Sequence, residues 1–217
     1  MKNGVVILGV GPGLGFSLAK LFGKAGQKPI LLARNKNKLT ALQGKLLKVD
    51  VQAEIFPADV NDEASISHIL TDVSKDGIPQ TLIFNAADMR PRKPSELTLG
   101  TLQEVFGTNV FSAVAITQAY LKLEPSYEQP REILLTGGSL SDAPAQKASS
   151  LSMTKAALKS YAQVLMQSLE NTQVAVNLMT VKAFMNKEKG TDPDVIGKQY
   201  LAAAKRHQSG ELVGTGK

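Results

Sequence analysis

Gly9-Val-Gly11-Pro-Gly13-Leu14-Gly15 removes side chains from a short segment, so that a pyrophosphate can approach backbone N–H groups. The spacing fits G-x-x-x-G-x-G. It does not fit G-x-G-x-x-G, because Leu14 stands where that pattern has its last glycine. An apolar run precedes the turn, and Phe16, Leu18, Ala19, Leu21 and Phe22 follow it at helical spacing, so a helix N-terminus would add partial positive charge to the turn. A lone glycine run is usually only a turn; the strand before it and the helix after it favour the phosphate reading. Further along, Leu-Leu-Ala33-Arg34-Asn35 ends the next apolar run. An acid there would bind the free 2′-hydroxyl of NAD, whereas an arginine pairs with the 2′-phosphate of NADP. The acid is absent and Arg34 is present; the competing reading is a solvated surface arginine. Asp59, followed by Val60, could accept from an adenine amino group, and Asn85, in Phe84-Asn85-Ala86-Ala87, could tie the loop to the cofactor through its amide. Singly, such residues are often turn or cap residues.

These positions need a scaffold that brings strand ends together. Runs at 4–10, 29–33, 53–56, 80–84, 132–136 and 174–180 read as strands, with a possible edge strand at 211–213. Between them lie predicted helices: one after Phe16 ending near Gly26, one capped by Asn35, one from near Asp62, one long helix from Leu97 to about Leu123, one from about Ser149 to Glu170, and one over 193–207. Strands alternating with helices predict parallel pairing through right-handed crossovers. The expected fold is therefore α/β: a single doubly wound domain over 1–217, with a parallel sheet of six to seven strands and helices on both faces. Its ligand crevice lies at the carboxyl ends of the strands, where strand order reverses.

Composition narrows the chemistry. The chain has 43% hydrophobic and 20% charged residues, which excludes disorder and collagen-like structure, and no Cys, which excludes disulfides, thiolate zinc sites and cysteine nucleophiles. His68 and His207 have no metal-ligand spacing, so no metal site is expected. The apolar run before Gly9 is too short for a secretory core or a membrane span, so a cytoplasmic protein with no membrane partner is expected. The net charge of +6 is uneven: residues 1–50 hold nine Lys/Arg against the single acid Asp50. The basic residues are not interleaved with aromatics, which argues against nucleic acid. Most of these lysines read as solvated helix faces, and Arg34 as the cation with a partner.

Taken together, the glycine pattern, Asp59-Val60, Asn85-Ala86-Ala87, Asn109 in the long helix, Ser139 after the fifth strand and Lys155 in the next helix resemble the short-chain dehydrogenase/reductases over nearly the whole chain. The resemblance implies a Rossmann-fold NAD(P)-dependent oxidoreductase, a homodimer or homotetramer pairing through the 97–123 and 149–170 helices. It implies catalytic roles for Asn109, Ser139 and Lys155, with Lys155 also holding the nicotinamide ribose. It implies cofactor contacts from Gly9, Gly11, Gly13, Leu14, Gly15, Arg34, Asn35, Asp59, Val60, Asn85, Ala86 and Ala87. The family's tyrosine stands four residues before the lysine, and here that position is Leu151; Tyr161 lies beyond Lys155 on another azimuth. Two departures follow strand six, where Val181-Lys182 replaces Pro-Gly and the next stretch is short.

The expected activity is NADP(H)-dependent oxidation or reduction of a small carbonyl or alcohol, with an altered proton donor: the substrate itself, water or Ser139. Ser150 or Ser152 could carry that water, although serines at a helix start are usually caps. The alternative is an inactive NADP(H)-binding sensor or regulator, and a more distant one is a basic nucleic-acid module. Met89, Leu140, Leu151, Phe184 and Met185 suggest an apolar cavity, or serve in packing.

Overall fold

The computed structural model describes residues 3–123, 130–182 and 191–215. Seven strands form one parallel sheet in the order β3-β2-β1-β4-β5-β6-β7. They are β1 (Gly4–Leu8), β2 (Lys28–Ala33), β3 (Glu54–Pro57), β4 (Thr81–Phe84), β5 (Arg131–Thr136), β6 (Val174–Val181) and β7 (Gly210–Gly214). The predicted edge strand is β7, which lies parallel to β6.

β1 shows why the centre holds. All five of its residues are buried, and the pleat divides them between two cores. Val5 and Ile7 pack with α1 (Leu14–Lys24), α2 (Lys36–Leu47) and α7 (Pro193–Arg206). Val6 and Leu8 pack with α3 (Glu63–Val73), α5 (Ser112–Leu121) and α6 (Ser149–Ser168). Each fully buried aliphatic side chain contributes about 1.5–3 kcal/mol relative to exposure. Because β1 lies between β2 and β4, chain order reverses beside it, and the crevice opens above Leu8 and Phe84.

The expected single helix over 97–123 is interrupted. α4 (Leu99–Phe106) passes into a π turn, Gly107–Phe111, before α5 begins. A π turn admits one extra residue, and here it contains Asn109. Among the described residues, no helix is long and apolar enough to cross a membrane, and no group of His and acidic residues could hold a metal ion.

At the end of the sheet away from the crevice, His207 does more than pack. It ends α7 in a left-handed conformation, and its Nδ1 meets Oε1 of Glu132, which is 2% exposed. Oε2 of Glu132 has no partner among the described residues, and burial pushes the carboxyl up to about 7. The folded chain therefore keeps a proton that the unfolded chain releases near 4.5. Stability is expected to fall as pH rises from about 4.5 to 7, and Glu132→Gln to flatten that slope, as denaturant midpoints at pH 5 and 7.5 would show.

Candidate functional site

The strand ends place the glycine turn, Asn85, Thr136 and Lys155 around one crevice. Gly9 has φ +79°, and a Cβ there would lie 2.4 Å from Cα and N of Ala86, so the turn and the β4 loop touch backbone to backbone. Gly15 is similarly constrained: its Cβ would come within 2.8 Å of Val10 Cα. Gly11 and Gly13 differ, with nothing within 4 Å of an added Cβ. Two glycines thus serve packing, and two leave open space above the turn. Gly13 is the N-cap of α1 and offers no capping side chain, and no acid stands in the first turn. An uncapped, acid-free helix start next to side-chain-free backbone suits an anion. Leu14, 8% exposed, packs into the core beneath.

Arg34 follows β2, is exposed, and has no carboxylate partner among the described residues. Asn35 is committed differently from a cofactor contact: its Oδ1 accepts from Lys38 N at 2.9 Å and caps α2. Its carbonyl oxygen accepts from Leu39 N at 3.1 Å, so its Nδ2 and backbone N–H remain for a ligand. Asp59 Oδ1 accepts from Asn61 N and Nδ2, both at 3.0 Å, and Val60 is buried in the core under α3 and α5. Asn85 Nδ2 donates to Gly9 O at 2.9 Å, while Oδ1 accepts from Thr136 Oγ1 at 3.3 Å. Its amide thus ties the glycine turn to the ends of β4 and β5. Ala86 and Ala87 continue from it, half-buried.

Asn109, to which the resemblance gives a catalytic role, stands on the π turn with its side chain bonded to the β4 loop and α6. It is 2% exposed; Oδ1 accepts from Asp88 N at 2.6 Å, and Nδ2 donates to Asp88 O at 3.1 Å and Thr154 Oγ1 at 3.0 Å. The side chain splints the β4 loop to α6, and its polar atoms are committed there. Asp88 in turn is held down to about 2 by the Arg90 guanidinium.

Lys155 is 8% exposed, and Nζ donates to Thr136 O at 2.7 Å. With no acid beside it among the described residues, burial pushes the ammonium down to about 8. Gly138 packs across its stem, where a Cβ would lie 3.6 Å from Lys155 Cε. Ser139 starts a short 3-10 turn, half-buried, with no side-chain partner among the described residues. Leu151 precedes Lys155 by one helical turn and is half-buried. Ser152 bonds back to Ala148 O, whereas the fully buried Ser150 hydroxyl has no partner among the described residues.

Leu140 lines a shallow groove of about 380 Å³ with Pro94, Met153 and Ala156. On α6 the groove takes Ser152, Ala156 and Met153, about 60°, 100° and 160° round the helix from Lys155, so it lies beside the Lys155 face. Met89 is exposed; Phe184 and Met185 lie outside the described residues. Sequence reasoning missed Thr136 and Tyr200, whose hydroxyls meet at 2.9 Å. The position of Thr136 at a strand end was a usable signal, but nothing marked Tyr200.

A family model described as short chain dehydrogenase matches residues 3–193. The chain is 26% identical over 178 residues to an uncharacterized oxidoreductase, YxnA, of Bacillus subtilis (strain 168), covering 82% of this chain and 50% of that protein. It is 32% identical over 121 residues to an NADPH-dependent pterin aldehyde reductase of Arabidopsis thaliana, covering 55% of this chain and 50% of that one. The matches thus span about half the length of these relatives. A crystal structure of a short chain dehydrogenase from Salmonella enterica serovar Typhi superposes with a TM-score of 0.87 at 21% identity, covering 99% of this chain and 96% of the other.

Proposed function

The chain belongs to the short chain dehydrogenase family, and from that premise we propose that it is an NADP(H)-dependent oxidoreductase of a small carbonyl or alcohol whose proton donor is not the family's tyrosine. The observation that carries the NADP reading is Arg34, exposed and without a carboxylate partner among the described residues at the end of β2, with no acid in the position that would favour NAD. Similarity to a reductase named as NADPH-dependent supports it. The uncapped start of α1 and the open space at Gly11 and Gly13 fit a pyrophosphate. When bound, the dinucleotide supplies or accepts the hydride.

The chain's own groups do the rest. Arg34 pairs with the 2′-phosphate. The Lys155 ammonium binds ribose hydroxyls, and with Thr136 O its one acceptor among the described residues, N–H donors are left for them. Ser139 donates to the carbonyl oxygen and polarises it. In this reading Leu151 takes the place of the phenol, so the proton comes from the substrate, from water or from Ser139. The exposed Phe111, Met153 and Val164, on the π turn and α6, suit the proposed pairing as a homodimer or homotetramer.

Arg34→Ala is expected to raise the Kd for NADPH about 10- to 100-fold and leave that for NADH unchanged, since a charge-assisted contact is worth roughly 1.5–3 kcal/mol. Fluorescence titration of both nucleotides measures this. Equal affinities that ignore the substitution would sink the 2′-phosphate assignment. If NADPH binds and a broad carbonyl and alcohol panel stays silent, the sensor or regulator reading replaces the enzyme.

A further inference from the structure

Thr136, the last residue of β5, gathers hydrogen bonds from three parts of the chain. Its carbonyl oxygen accepts from Lys155 Nζ at 2.7 Å. Its hydroxyl oxygen accepts from Tyr200 Oη of α7 at 2.9 Å and donates to Asn85 Oδ1 at 3.3 Å. Asn85 Nδ2 then donates to Gly9 O at 2.9 Å. One continuous chain of bonds therefore runs from a helix on one face of the sheet to the glycine turn, and the same residue holds the lysine of the opposite face.

The direction of the chain matters. Tyr200 is fully buried, and burial pushes its phenol far up, so it acts as a donor. Thr136 Oγ1 must then accept from it, and its one proton goes to Asn85. An amide can be turned end for end, but one that receives this proton on Oδ1 must present Nδ2 to Gly9. The orientation that draws Gly9 O inward is thereby selected, and bonds in series strengthen one another. α7 is itself seated on α1: Asp194 accepts from Ser17 Oγ at 2.6 Å and pairs with Lys20, and Gly197 has no side chain to collide with Ser17 and Leu21.

We propose that Tyr200 and Thr136 are positioning residues that set the glycine turn and Lys155 in one arrangement, so that the seating of α7 and the binding of a phosphorylated dinucleotide are coupled. This rests on the dinucleotide reading above. Neither residue touches the reacting atoms. A purely packing role for Tyr200 would need its ring and not its hydroxyl, and Tyr200→Phe separates the two.

The test uses the full chain with Tyr200→Phe, Thr136→Val, their double variant and Thr136→Ser, each titrated with NADPH calorimetrically. Loss of the hydroxyl bond is expected to raise the NADPH Kd about 3- to 10-fold in each of the first two variants. The double variant is expected to lose no more than either, because both break one chain. Thr136→Ser, which keeps the hydroxyl, retains affinity within about twofold. Without nucleotide, the amides of residues 9–15 exchange with deuterium several-fold faster in Tyr200→Phe, while those of β7 do not change. If the wild type binds NADPH and Tyr200→Phe binds it equally well with unchanged exchange, the coupling is refuted and the dinucleotide reading stands. If the wild type binds no dinucleotide, both fall together.

Discussion

Gly9→Ala is expected to destabilise the fold by about 3–5 kcal/mol, whereas Gly11→Ala, two residues on, leaves stability within about 1 kcal/mol and removes dinucleotide binding. The difference lies in what each added methyl would meet. At Gly9 the backbone has φ +79°, a conformation that costs an L-residue about 1–2 kcal/mol by itself. The methyl would then sit 2.4 Å from Ala86 Cα and N and 2.7 Å from Asn85 C. Those atoms are backbone, and Asn85 N also donates to Leu8 O at 2.9 Å, so relief requires the end of β4 to move away from β1. For a chain of this length the loss corresponds to a Tm roughly 10–15 °C lower. At Gly11 the methyl enters open space, and φ is not positive. The fold does not register it, but a pyrophosphate close to the turn would. Thermal unfolding and NADPH titration of both variants test the division. A Gly11→Ala protein that binds NADPH like the wild type would show that the open space is not the phosphate site.

The fold was legible because its signals are local and repeated. A strand buried on both faces needs an unbroken apolar run, as in residues 4–8, and a helix between sheet and solvent needs a periodic one. Their alternation fixes a parallel sheet, and the parallel sheet fixes which ends form the crevice. The break in the 97–123 helix was not legible, because one extra residue shifts the helical phase by about 100° without disturbing which residues are apolar. For the same reason the sequence did not show that Asn109 would turn toward Asp88 and Thr154. Asn35 had two possible partners, a helix and a cofactor, and the nearer one, Lys38 N, took its side-chain oxygen. Thr136 and Tyr200 are 64 residues apart and meet through tertiary packing alone, which no spacing rule encodes. Motif positions on strand ends and the Asn35 cap were therefore readable, and the tertiary partners of Asn109, Thr136 and Tyr200 were not.

On the proposed reading, Leu151→Tyr is expected to raise carbonyl reduction with NADPH about 10²- to 10⁴-fold, or to create it where the native chain shows none, since that is the usual worth of a positioned general acid. Residues 151 and 155 lie one turn apart on the same face of α6, so an introduced phenol would stand beside the Lys155 ammonium. Leu151 is only half-buried, so the larger ring is not forced into the core. Among the described residues the ammonium has one acceptor and no acid to neutralise it, so its charge is available to favour the phenolate and make the phenol a better proton donor. Burial holds that ammonium down to about 8, so the gain should decline above about pH 8 as the charge is lost. Adding Lys155→Met to Leu151→Tyr should abolish most of the gain at every pH. The measurement is NADPH oxidation across a carbonyl panel, paired with NADPH binding for each variant. Unaltered binding with no gain in rate would mean that more than a phenol is missing from this site.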